Sequence, residues 1–338
     1  MSKRRISDRQ AARIQQLQDK RLQKAKQNKS LQAVETQNLG AEQEGLLIAN
    51  YGAYVDVENK QGDIIRCHLR QNLGLVAAGD HIVWQPSLQD NKTGVVVALK
   101  PRQTALTRTL APGKVKLIAA NINQVLLVLA VQPRPPASTI DSYLVAAETV
   151  GLKTLIICNK ADLLTENPDE TLSMQLKNYE KLDYPILYVS AHQKRGLVEL
   201  KKHLQNHTSI VVGQSGVGKS SLVSCLLPET VVRVDTLSPA GDHGMHTTTT
   251  ARLYHLPSGG DLIDSPGVRE FQLWDMPPDQ IAEGFVEFRP HLGRCRFRNC
   301  KHIKEENCAL QQAVNDGTIS PARLTSYQRI VEAFSHNK

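Results

Sequence analysis

From Gly45 to Arg70 apolar and polar residues alternate, with Leu47 and Ala49, then Tyr54, Val55 and Val57, then Ile64, Ile65, His68 and Leu69 carrying the rhythm. A period of two predicts half-buried strands, and the polar stretch Asn59–Gly62 supplies a turn between them. Two further apolar segments, Asp80–Trp84 and Gly94–Leu99, are separated by polar residues 85–93, and no helical period occurs between Gly45 and Arg108. Four or five short antiparallel strands in about 65 residues predict a small β-barrel, for which an OB-fold is a common solution. The pattern alone does not choose the topology. Tyr51, Tyr54 and Trp84 are the few aromatic residues here, so contact with nucleic acid through backbone and charge is expected over base stacking.

The rhythm changes after Asn121. Val125–Val131 is an unbroken apolar run, Thr139–Val150 has helical spacing, and Thr154–Cys158 is a second buried run. Ile186–Val189, a helical stretch at Leu197–Leu204, Ser209–Val212 and a helix from Lys219 repeat the alternation. Apolar strands alternating with helices predict a parallel sheet covered on both faces. The expected organisation is multidomain α/β: a basic flexible arm (1–40), the barrel (41–108), an α/β domain (109–277), and a C-terminal domain (278–338) with a helix near Pro321–Phe334.

Composition narrows the class. Hydrophobic residues are 41% and charged residues 22% of the 338, the balance of a globular protein and not of a disordered or fibrous one. The longest apolar run is the seven residues Val125–Val131, far short of the ~20 a spanning helix needs. The first 25 residues are basic and polar with no apolar signal core. A cytoplasmic protein with no membrane contact is expected. Ten Lys or Arg against Asp8 and Asp19 in residues 1–30 account for the whole net charge of +8. Such an arm is either a solvated tail or a segment that neutralises nucleic-acid phosphates.

The chemistry lies in short motifs. Gly213-Gln214-Ser215-Gly216-Val217-Gly218-Lys219-Ser220, followed by Ser221, matches the phosphate loop and sits between a strand and a helix as that loop requires. Its backbone N–H groups would face the α and β phosphates, Lys219 would reach the β and γ phosphates, and Ser220 would ligate Mg²⁺. Asp264-Ser-Pro-Gly267 follows the strand Asp261–Ile263; Asp264 would hold Mg²⁺ through water, and the Gly267 amide would sense the γ phosphate. Asn159-Lys160-Ala161-Asp162 follows a buried strand, and its Asp carboxylate can accept from guanine N1–H and N2–H₂ together. Adenine offers no matching donors, so GTP is expected over ATP. Asn159 would brace the loop, the Lys160 stem would cover the base, and Ser190-Ala191 would offer a backbone donor to guanine O6.

These motifs resemble those of GTPases in rotated order, because the base-recognition segments precede the phosphate loop. That is a circular permutation, tolerated when the original termini lie close together. It hangs the C-terminal region just after the Asp264 switch, an element expected to move with nucleotide state. Between the phosphate loop and Asp264 lies His246-Thr247-Thr248-Thr249-Thr250. Thr248 is the preferred Mg²⁺ ligand, with Thr247 and Thr249 as neighbouring switch residues. Val268 occupies the place where many GTPases orient water with Gln, so intrinsic hydrolysis is expected to be slow. His246 is a candidate for that task, and an ordinary loop histidine is the alternative.

Cys67, Cys158 and Cys225 stand alone in apolar stretches and are expected to be inert. Cys295-x₄-Cys300-x-His302-x₅-Cys308 offers three thiolates and an imidazole, the donor set of a closed structural Zn²⁺ site. Arg294, Arg296, Arg298, Lys301 and Lys304 are interleaved with these ligands and are candidates for gripping RNA phosphates.

Taken together, the barrel, the permuted motifs and the Cys/His cluster resemble the bacterial RsgA/YjeQ family over about residues 41–335. The resemblance implies an OB-fold, a circularly permuted P-loop GTPase domain and a C-terminal zinc-binding domain. It further implies a GTPase that binds the small (30S) ribosomal subunit and its rRNA, is stimulated by it and acts late in its maturation, and it carries His246 over as a hydrolytic residue. A monomer is expected. A non-catalytic GTP-regulated RNA-binding module is the alternative, and the intact Lys219, Ser220 and Asp264 argue against it. A GTPase acting on a protein or membrane partner would leave the basic metal region without a purpose.

Overall fold

The computed structural model describes residues 38–335 apart from 72, 91, 112–113, 167, 229–249, 266–275 and 304; the basic arm lies almost wholly outside these. Five strands make the barrel: β1 (Gln43–Asn50), β2 (Val55–Glu58), β3 (Ile64–Leu69), β4 (His81–Pro86) and β5 (Thr93–Leu99). They run in the order β1-β2-β3-β5-β4, and β4 returns to pair with β1. The β3–β5 pair is parallel and the others antiparallel. This closed five-stranded arrangement is an OB-fold. Leu47, Val55, Val57, Cys67, Ile82, Trp84 and Val96 fill its interior, none more than 2% exposed. Trp84 is therefore a core residue. Tyr51 and Tyr54 pair at the barrel rim with centroids 4.9 Å apart, and the Arg66 guanidinium lies 4.2 Å from the Tyr54 centroid.

A hairpin of β6 (Ala105–Ala111) and β7 (Lys114–Ala120) forms its own two-stranded sheet. Position 108/109, the expected start of the α/β domain, lies inside β6. The α/β sheet contains β8 (Gln124–Ala130), β9 (Lys153–Asn159), β10 (Ile186–Tyr188), β11 (Thr208–Val212), β12 (Arg252–His255) and β13 (Asp261–Asp264), in the order β10-β9-β8-β11-β13-β12. All pairs are parallel except β12–β13. Helices α1 (Ala137–Thr149), α2 (Asp162–Glu166), α3 (Glu170–Glu180), α4 (Leu197–Leu204) and α5 (Lys219–Leu226) connect the strands. Every residue of β8 is buried. Because strand side chains alternate between faces, Leu127 and Leu129 pack with α1 and α3, while Leu126 and Val128 pack with α4 and α5.

The barrel joins this sheet edge to edge through β1 and β12, at Ala49 opposite Arg252, giving eleven continuous strands. A polar clasp reinforces the seam. His255 Nδ1 lies 2.6 Å from Asp261 and Nε2 lies 2.8 Å from Glu58 of the barrel. The Asp261 hydrogen bond, followed by that of Glu58, raises the imidazole to about 9 against the cost of burial. The protonated clasp contributes fully below the unfolded histidine's pKa near 6.5, and its contribution is lost as pH rises through about 9. Since His255 is half exposed, the expected loss is about 1 kcal/mol or less. Urea midpoints between pH 6.5 and 9.5 should fall more for the native chain than for His255→Gln; equal falls would remove the clasp from the stability account.

Beyond β13, the described C-terminal residues form α6 (Pro278–Glu283), a 3₁₀ turn (Val286–His291), α7 (Ala309–Asn315) and α8 (Pro321–Ser335). Phe285 and Phe288 stack at 4.6 Å with Tyr327 edge-on to both. Close approach to α1 is permitted by Gly284, where a Cβ would sit 2.5 Å from Val145. Arg323, 5% exposed, pairs with Asp141 of α1 and with Glu287, whose Oε1 is 2.5 Å from its Nε. Tyr179 of α3 donates to Asp141 at 2.7 Å. Although the chain enters this region from the switch side, its buried contacts fix it to α1 and α3. Arg323→Met would leave Asp141 and Glu287 buried without their cation, and is expected to destabilise the chain by about 3–5 kcal/mol in urea unfolding.

Candidate nucleotide site and metal cluster

Parallel strands deliver their following loops to one edge of the sheet, where ligand sites of open α/β sheets form. Asn159–Asp162 follows β9, Ser190-Ala191 follows β10, and Gly213–Gly218 follows β11, leading directly into α5. The three loops are tied together. Asn159 Nδ2 donates to the Val217 carbonyl at 2.9 Å, and Asn159 Oδ1 accepts from the Ala191 amide at 3.2 Å. Lys160, at a positive φ of 60°, donates to the Gln132 carbonyl at 2.8 Å and to the Gly216 carbonyl at 2.9 Å. The Ala161 amide donates to the Val189 carbonyl at 3.0 Å.

Two glycines are required by this closeness. At Gly213 (φ 140°) a Cβ would lie 2.2 Å from the Val128 carbonyl oxygen, and at Gly218 (φ 90°) it would lie 2.3 Å from Asn159 Nδ2. Lys219 folds back over the loop, donating to the carbonyls of Gly213 and Gln214 at 2.7 and 2.6 Å. Ser220 and Ser221 lie in the first turn of α5. Asp264 ends β13, one strand away from the loop.

Asp162 opens α2. A hydrogen bond from Ser190 holds its carboxyl below the usual carboxylate range, helped by the nearby His192 and Arg195 charges. Its Oδ1 is buried with no hydrogen-bond partner, an acceptor suited to paired N–H donors from a ligand. The bond network thus gathers Asn159, Lys160, Ala161, Asp162, Ser190, Ala191 and Gly213–Ser221 into one strip. His246, Thr247, Thr248, Thr249, Gly267 and Val268 lie outside the described residues. Pattern reading missed the Gln132 carbonyl as a support for Lys160, although the proline-rich stretch 131–136 after β8 marks a constrained loop. It also missed Cys225, whose Sγ lies 3.5 Å from the Ala191 carbonyl. Cys67 and Cys158 are fully buried, and burial pushes both thiols up to about 12.

At the other end of the chain, the donor atoms of Cys295, Cys300, His302 and Cys308 lie within 4.8 Å of one another. His302 Nδ1 is 3.5 Å from the Cys295 and Cys300 sulfurs and 3.4 Å from that of Cys308. A tetrahedral ion with Zn–S and Zn–N bonds of ordinary length has S···N edges of about 3.5 Å, so the donors fit such an ion. Burial pushes the Cys300 thiol up to about 12, raises Cys308 and lowers His302. Without a cation to hold thiolates, Cys300 and Cys308 keep their thiol protons at neutral pH. Arg294, Arg296, Arg298 and Lys301 are exposed around it, and Lys304 lies outside the described residues.

The sequence profile of the RsgA GTPase family matches residues 99–274. The chain belongs to the RsgA GTPase family. Small ribosomal subunit biogenesis GTPase RsgA of Ectopseudomonas mendocina is 48% identical over 98% of both chains, and that of Hahella chejuensis is 48% identical over 98% of this chain and 97% of its own. Among solved structures, YjeQ from Thermotoga maritima superposes with a TM-score of 0.69 at 30% identity, covering 87% of this chain and 99% of its own. YloQ, described as a circularly permuted GTPase, gives 0.67 at 25% identity over 88% and 96%. The RsgA relationship accounts for the motif order: this is a circularly permuted GTPase, with an OB-fold barrel before it and a cluster that could hold a metal ion after it. Among the described residues no helix is long and apolar enough to cross a membrane.

Proposed function

We propose that the chain hydrolyses GTP in response to the small (30S) ribosomal subunit and acts in that subunit's late maturation through contact with rRNA. The names of its relatives support the assembly role. The observation that carries the nucleotide reading is the ionised Asp162, with one buried, unpartnered oxygen held beside the Ser190 loop.

Guanine N1–H and N2–H₂ would donate to Asp162, with the Ala191 backbone facing O6 and the Lys160 stem covering the ring. Gly213–Gly218 amides and Lys219 would bind the phosphates, Lys219 exchanging its two carbonyl partners for phosphate oxygens. Ser220, Thr248 and Asp264 would hold Mg²⁺, which neutralises charge on the β and γ phosphate oxygens when bound. His246 would orient the attacking water in place of the missing glutamine. Cys295, Cys300, His302 and Cys308 would hold one structural Zn²⁺, and the surrounding arginines would contact rRNA. A chain acting on ribosomal subunits would work in the cytoplasm, and the proposal takes it to act as a monomer.

GTP turnover of the full chain, alone and with isolated small subunits, large subunits or unrelated RNA, tests the proposal. Strong stimulation by small subunits only is expected, with Lys219→Ala lowering turnover about 10²–10³-fold and His246→Ala removing the stimulated part. Equal rates in every mixture would instead favour a GTP-regulated binding module.

A further inference from the structure

The core of the C-terminal region is complete without one of its aromatic residues. Phe285, Phe288 and Tyr327 are fully buried against one another, whereas Phe297, on the loop between the first two metal ligands, is 45% exposed. The exposed part of the ring gains nothing from folding and leaves apolar surface in water.

Hydrogen bonds fix the main chain of the loop that carries the ring. The Arg296 amide donates to the Asn307 carbonyl at 3.4 Å, and the Cys300 amide donates to the Phe297 carbonyl at 3.3 Å. The Ala309 amide donates to Cys295 Sγ at 3.3 Å, closing the knuckle from the other side. A ring presented on so short and bonded a loop loses little freedom on binding. Its neighbours define what it would meet. Arg294, Arg296 and Arg298 are all exposed, none takes part in an ion pair among the described residues, and the Arg296 guanidinium lies 5.5 Å from the ring centroid. Apolar protein surface would not complement three cations around one ring. A polyanion carrying flat apolar faces would, and single-stranded RNA is such a polymer.

We infer that Phe297 is a stacking residue for an unpaired RNA base, with Arg294, Arg296 and Arg298 on the flanking phosphates. The inference rests on the rRNA-binding reading above and assigns to it a contact of different physics, because stacking releases no counterions. Arginine contacts and the ring are therefore separable by salt. Affinity of the metal-loaded full chain for isolated small subunits would be measured by co-sedimentation over a range of salt concentrations. Phe297→Ala is expected to weaken binding about tenfold with the slope of log K against log salt unchanged. Arg296→Ala should reduce that slope by about one. Phe297→Tyr should bind like the native chain, and Phe297→Leu, which keeps apolar area but has no aromatic face, should bind like Phe297→Ala. Metal content and thermal midpoints would confirm that each variant is folded.

Native affinity in Phe297→Ala would overturn the inference while leaving the rRNA reading intact. Native affinity in Phe297→Leu would overturn it in favour of apolar docking on a protein. A native chain with no affinity for small subunits would overturn both.

Discussion

Asp162→Asn is expected to lower GTP affinity about 10⁴-fold, the scale on which a site built to pair with a ligand's polar groups rejects one that cannot pair. The carboxylate has two acceptor oxygens and no donor. Ser190 occupies one side, while Oδ1 is buried without a partner. In the variant an amide N–H₂ must face guanine's N1–H or N2–H₂, donor against donor, in a buried site where an unmade bond carries its full desolvation cost. The fold has little reason to change, since Asn159 and Lys160 make most of the interloop bonds, and the side-chain oxygen that the variant keeps can still accept from Ser190. Xanthosine triphosphate, which carries a carbonyl in place of the 2-amino group, should regain affinity because the amide can then donate to O2 and accept from N1–H. Titration of both nucleotides against both proteins checks this. Unchanged GTP affinity in the variant would place the base elsewhere.

The candidate nucleotide strip, which the structure gathers at one sheet edge, was legible in the sequence because its motifs are local. A phosphate loop must place glycines and a lysine within eight residues, and Asn159–Asp162 needs only a buried strand before it. The joints between domains were not legible for the complementary reason. Glu58 and His255 are 197 positions apart and Asp141 and Arg323 are 182 apart, so no window on the chain shows either pair. Motif order hangs the C-terminal region just after the Asp264 switch, and the described contacts add what no window shows: a second attachment, through Arg323, to α1 and α3.

Two elements could have been found and were not. Pro112-Gly113 is a turn signal between segments in which Leu106 and Leu117 alternate with polar residues, a hairpin pattern; Pro257-Ser-Gly-Gly260 similarly separates β12 from β13. The barrel's three aromatics take two different places that the pattern does not distinguish: Trp84 is core, whereas Tyr51 and Tyr54 meet at the rim.

Removing the metal, by chelation or by Cys308→Ser, is expected to have the largest effect on folding and to confine it to one region. Structural Zn²⁺ contributes apparent free energies of about 10–16 kcal/mol in peptides that depend on it wholly. Residues 292–308 would depend on such an ion in large part, because the described segment contains no helix or strand. Beyond the four ligands its order rests on a few backbone bonds, on side-chain bonds of Glu305, Gln311, Tyr327 and Gln328, and on the packing of Leu292 and Ile303. Cys308 also caps α7, with the Gln312 amide donating to its carbonyl at 3.0 Å, so loss of the ion should reach Ala309–Asn315. It should stop at α8, whose Tyr327, Ile330 and Val331 are buried in the core shared with α1. Hydrogen exchange is therefore expected to quicken in 292–315 and remain slow in α1 and the Tyr327–Val331 segment, with one Zn²⁺ lost per chain. GTP affinity should hold within about threefold, since four protein donors leave a tetrahedral ion no open position for chemistry and none of the nucleotide-strip bonds involves the cluster. Protection in 292–315 that survived removal of the ion would show that packing alone orders the knuckle. Its four ligands would then need another explanation than structure.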